Sequence, residues 1–152
     1  MTNRRAIALF GLALLASCGE PASSGRAPEP PPFAMSATAV EARSADATYI
    51  ARWEPEGGAM PDAEPFNMRF SVRRADGAPI PAEATFAVDA EMPHHGHGMN
   101  LVPEIRRVGT DGSATLLVAS GMLLHMQGRW VLSLDVTVDG ILERTQWFVD
   151  VD

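Results

Sequence analysis

Lysine is missing altogether: all twelve bases of the 152-residue chain are arginine, set against nineteen acids. An acidic chain without a basic cluster lacks the footprint that nucleic acid or an anionic lipid surface selects. Cysteine occurs once, at Cys18, so an intrachain disulfide and a cysteine-based zinc cage are both excluded. No Gly-x-Ser-x-Gly elbow is present. Ser120 lies five positions before His125, but nothing in the pattern orients that histidine as a base. Asp89, Glu91 and Glu104 follow a strand alternation and read as solvated faces, not as a catalytic pair. An enzyme is therefore not expected.

What is present begins at the amino terminus. Arg4 and Arg5 precede an apolar run from Ala6 to Leu15, and the small residues Ala16 and Ser17 lead to Cys18. A basic stretch, a short apolar stretch and a small-residue cleavage site make a secretory signal over residues 1–17. The run is too short for a helix across a bilayer, which takes about 20 apolar residues. The ending Leu15-Ala16-Ser17-Cys18 resembles the lipobox of bacterial lipoproteins. That resemblance implies cleavage before Cys18 and acylation of Cys18, which would make the membrane a partner through lipid alone. Gly19 at the next position resembles lipoproteins passed on to an outer membrane. Several acyl chains, each contributing about 0.8 kcal/mol per buried CH₂, anchor durably where one chain is marginal. Loss of the signal would leave ten arginines against nineteen acids, a formal charge of −9.

Residues 18–32 carry the lipidated cysteine and then a run of Pro, Ser, Gly and Ala with no large apolar side chain, which reads as a tether. The rest, residues 33–152, shows period-two alternation. Phe66, Met68, Phe70 and Val72 alternate with polar neighbours, as do Trp130, Leu132, Leu134 and Val136, and then Thr145, Trp147, Val149 and Val151. Weaker strand patterns cover residues 37–42, 48–53, 84–91, 104–108 and 114–119. Turn signals separate them, with Asp139-Gly140 the clearest hairpin. Seven to eight short strands predict an all-β, immunoglobulin-like antiparallel sandwich, with a small barrel as the competitor. Trp130 and Trp147 are expected in its core.

Two segments break that pattern. One runs Glu91-Met92-Pro93-His94-His95-Gly96-His97-Gly98-Met99-Asn100, and the other Gly121-Met122-Leu123-Leu124-His125-Met126-Gln127-Gly128-Arg129-Trp130. They hold all four histidines and four of the seven methionines after Met1. Pro93, Gly96 and Gly98 keep the first out of regular structure. Thioether sulfur selects Cu(I), and imidazole holds either oxidation state of copper. Zinc is the competitor through the histidines, though it usually takes thiolate or carboxylate and gains little from methionine. Methionine is also a common gap-filler, so Met122 and Met126 have a bland reading as core. In a sandwich, loops at one end cluster in space, so the two segments can share a site. The first-choice ligands are His95, His97 and His125. Met99, Met122 and Met126 are candidates for soft ligation, and Met92 and His94 are further candidates. Since a ligating imidazole must be neutral, affinity should weaken below about pH 6.

These two segments and the closing strand pair resemble the YtkA-like family of exported domains, which is related to FixH, an accessory factor of a cytochrome oxidase. The likeness covers residues 66–151. It implies a sandwich outside the cytoplasmic membrane, with copper handling or assembly of a respiratory complex as the role and a respiratory or copper-handling protein as partner. The alternative reading of the same residues is a metal-free interaction module that docks a partner through its Met- and Gly-rich loops.

Overall fold

The computed structural model describes residues 35–152; the signal, Cys18 and the tether expected over residues 18–32 lie outside them. Among the described residues there are nine strands and no helix. They are β1 (Val40–Arg43), β2 (Tyr49–Pro55), β3 (Phe66–Arg74), β4 (Thr85–Met92), β5 (His97–Gly98), β6 (Glu104–Asp111), β7 (Ala114–Met122), β8 (Gly128–Val138) and β9 (Ile141–Val151). They form a five-stranded sheet in the order β1-β2-β3-β7-β6 and a four-stranded sheet in the order β5-β4-β8-β9. Every ladder is antiparallel. The protein is an all-β sandwich.

The alternation read from the sequence sets which side chains face inward. Met68, Phe70 and Val72 of β3 are buried, as are Trp130, Leu132, Leu134 and Val136 of β8 and Thr145, Trp147, Val149 and Val151 of β9. With Trp53 of β2 and Leu117 and Ala119 of β7, all of these but Thr145 form one hydrophobic core between the two sheets. β7 departs from simple alternation because Leu116 and Val118, on its other face, are buried too. Their register neighbours on that face are Ser71, Arg69 and Arg106. Long arginine stems can cover apolar surface while their heads stay wet.

Strands 66–72, 130–138 and 145–151 lie where the pattern predicts them, although β9 begins four residues earlier, at Ile141. Asp139 and Gly140 both have positive φ, at 50° and 79°, and join β8 to β9 directly. This is the two-residue turn whose twist matches that of antiparallel strands. β5 is the element the sequence pattern misses. His97 and Gly98 fold back on Met92 and Glu91 as a short hairpin arm inside the histidine-rich segment. Its turn is closed by the N–H groups of His95 and Gly96, which both donate to the carbonyl of Met92 at 3.0 Å.

The topology gives the sandwich two different ends. One holds the loops over residues 56–65, 93–103 and 123–127 and the carboxyl terminus, since Pro55 pairs with Met68, Phe66 with Met122, and Gly128 with Val151. The other holds the turns at residues 44–48, 75–84, 112–113 and 139–140.

Candidate metal centre

All seven described methionines lie at the first end. Met92 and Met122 are the last residues of β4 and β7, and Met68 is the third residue of β3. Met60 belongs to the loop over residues 56–65, Met99 follows β5, and Met126 precedes β8. Met35 lies on the approach to β1, where the N–H of Ser36 donates to Glu54 at 3.1 Å and Arg52 donates to the Ser36 carbonyl at 2.8 Å. The four histidines are at this end as well. At the opposite end there is neither a methionine nor a histidine among the described residues.

The two histidine segments meet. A Cβ placed on Gly128 would stand 2.9 Å from Cε of Met92, so the end of β4 presses on the start of β8. Gly128 also has a φ of 120°, which disfavours any side chain there. Within the second segment the chain curls over Trp130. The indole Nε1 donates to the Met126 carbonyl at 2.9 Å, and the His125 ring stands edge-on to Trp130 with centroids 5.7 Å apart and planes at 69°. Nδ1 of His125 is buried and has no hydrogen-bond partner. A buried imidazole nitrogen left unpaired costs free energy unless something accepts its lone pair or its proton.

The eight candidate ligands divide by accessibility. Met92 and Met122 are sealed in the core at 1% and 0% exposure, continuing the inward positions of their strands. Both side chains pack in the core cluster of this structure. Met99 and Met126 are half-buried against the core and expose part of themselves. Met60 is placed in the same way, and nothing in the two motif segments pointed to it. His125 is half-buried, while His94, His95 and His97 are exposed on the β4–β5 hairpin. His97 sits opposite Met92 and so shares the inward side of its sheet, at the sheet edge. Among the described residues no three His, Cys, Asp or Glu side chains are grouped closely enough to hold a metal ion between them. Thioether sulfur is the other donor this end offers, and its signal in the sequence was the flanking of each histidine group by methionine.

The opposite end is held by charge instead. Arg74 donates to both carboxylate oxygens of Asp76 at 2.7 to 3.2 Å, and the hydrogen bonds from Arg74 and the Ala78 N–H draw that carboxyl down to about 2. Glu143 is buried. Burial alone would raise its pKa, but hydrogen bonds from Thr48, Ser44 and the backbone N–H groups of Thr48 and Asp46 together hold it below the usual carboxylate range. The Arg144–Asp135 pair on β9 and β8 is bidentate, as is Arg129–Asp150 nearer the methionine end, where Asp150 is lowered by its bond from Arg129.

No family model matches the chain, and neither the curated proteins nor the solved structures give a significant match.

Proposed function

We propose that this chain is an exported lipoprotein, anchored through Cys18, whose sandwich binds copper at its methionine end and holds or hands it over near a membrane. The observation that carries the reading is the segregation of seven methionines and four histidines to one end, with an unpartnered imidazole nitrogen among them. Core packing alone gives no reason for this, because buried methionine would serve as well at either end. The ligands on offer are neutral and soft, which suits copper and suits calcium or magnesium poorly. Among the candidate ligands His125, Met99 and Met126 are half-buried, and His94, His95 and His97 are exposed. The likeness of the two segments to YtkA-like domains points the same way. Any catalytic role is left out of the reading, since no nucleophile–base pair is recognisable in the sequence.

A chelator competition for Cu(I) tests the copper half. Wild type should bind more tightly than about 1 μM. His125→Ala should weaken that binding, and the His95/His97 double alanine variant measures what the exposed hairpin adds. The lipid half is tested by Cys18→Ser, which should leave the membrane fraction. A variant that is processed normally yet still partitions with membranes sinks that half, and retention in an inner membrane argues against the outer-membrane destination.

A second reading has an observation of its own. Val102 is 97% exposed and Leu101 44%, side by side on the loop after β5 at the methionine end. Paired apolar side chains in solvent suit a module that docks a protein partner. Wild type without measurable copper affinity would make this reading the better one.

A further inference from the structure

Resting on the copper reading, we infer that the soft cation sits at the second segment, with Nδ1 of His125 and the Met126 thioether as ligands, Met99 of the first segment as a third, and the Trp130 indole as the wall beside it. On this inference Trp130 selects for a monovalent ion, and the exposed histidine hairpin lies outside the coordination sphere.

Three observations converge on that position. His125 is the only described histidine that is not exposed, and its Nδ1 is buried without a partner. Among the described residues nothing else hydrogen-bonds that nitrogen, which offers a lone pair in the tautomer that carries its proton on Nε2. Next, the loop is fixed to Trp130 of β8 at two points. The His125 and Trp130 ring centroids are 5.7 Å apart, and the indole N–H donates to the Met126 carbonyl at 2.9 Å, so both loop ligands are tied to one indole. Trp130 is fully buried, which fixes its orientation before any ion arrives. Finally, Met126 and Met99 are the methionines of the two motif segments that keep partial exposure, whereas Met92 and Met122 have none to give.

Charge decides which ion fits. The ligands are all neutral, and no group of three that includes carboxylate or thiolate is assembled among the described residues. The cost of taking an ion out of water grows with the square of its charge, so a divalent ion entering such a site loses far more hydration than a monovalent one. A monovalent soft ion meets thioether and imidazole, which it prefers. An indole adds cation–π attraction, which is strongest for tryptophan among the aromatic side chains and grows with desolvation. The exposed hairpin of His94, His95 and His97 has none of these properties and would take ions weakly from solution.

The test titrates the processed chain with Cu(I) under anaerobic conditions, and with Ag(I) as a redox-inert substitute. It follows tryptophan emission together with chelator competition. Wild type should bind both ions with a marked change in emission and should bind Zn(II) at least tenfold more weakly. Trp130→Phe keeps an aromatic ring in the core and should remove the emission change, while Trp147→Phe should keep it. Met126→Leu, which conserves volume, should weaken Cu(I) binding tenfold or more, and so should His125→Gln. The His95/His97 double alanine variant should bind as wild type does, a stricter outcome than the copper reading alone requires. If Trp130→Phe does not fold, the Met126→Leu and His125→Gln affinities decide alone. Cu(I) bound with unchanged affinity by those two variants, or lost in the double alanine variant, overturns this inference and leaves the copper reading standing. Wild type that binds neither ion overturns both.

Discussion

The two ends of this sandwich are built from different chemistry, and the contrast separates what closes the fold from what remains to be explained. At the far end short turns carry glycine or positive φ at Gly77, Gly112, Asp139 and Gly140, and carboxylates there are neutralised by named donors. Asp76 and the buried Glu143 there have structural uses. At the methionine end all seven described methionines gather beside the Arg69–Glu54 and Arg129–Asp150 pairs, and His125 keeps a buried nitrogen without a hydrogen-bond partner. The copper proposal rests on the second of these two ends.

The largest expected effect breaks the contrast deliberately, by showing that the methionine end is also part of the core. Trp130→Ala should cost about 3–5 kcal/mol, a large share of a total of about 5–15 kcal/mol, so a denaturant melt should find little folded protein. Near-wild-type stability would contradict the full burial of Trp130. A smaller effect compares one glycine from each end. Gly128→Ala places a Cβ 2.9 Å from Met92 at a φ of 120°, whereas Gly140→Ala meets nothing within 4 Å and suffers only its φ of 79°. Overpacking costs about 1–3 kcal/mol and a left-handed conformation about 1–2 kcal/mol, so Gly128→Ala should be the more damaging. In a Met92→Ala background its cost should shrink, and the double-mutant cycle measures by how much. Additive costs would mean that the two segments do not press on each other.

Much of the contrast was legible in the sequence, and the remainder depended on topology. Alternation at residues 66–72, 130–136 and 145–151 identifies the inward faces directly, because side chains alternate with period two in any strand. The same rule, carried two residues past Val88 and Ala90, already places Met92 inside, but the histidines beside it drew the reading toward ligation. The β5 arm was hidden because a glycine-rich pair of residues has no alternation to read. Met35, Met60 and Met68 carried no motif at all. They join the others only once the register shows which strand ends lie together. The contact between His125 and Trp130 spans five positions in sequence and depends on a loop bending back, which no periodicity reports.

The smallest effect is in the acid limb of stability. Asp76, at about 2, and Glu143 and Asp150, both held low, have folded-state pKa values below those of the unfolded chain. Their stabilisation is therefore complete above about pH 5 and is lost as the pH falls toward 2. Asp76→Asn should flatten that limb without altering copper binding at the other end. An unchanged acid limb would show that the Arg74–Asp76 pair contributes nothing measurable.

The claim that the methionine end holds copper through sulfur and imidazole is tested most directly by X-ray absorption at the copper edge of the Cu(I)-loaded chain. The account predicts sulfur scatterers together with a single imidazole nitrogen, and loss of sulfur from the shell when Met99 and Met126 are both changed to leucine. A shell of nitrogen and oxygen alone, or a chain that retains no copper after desalting, would contradict it.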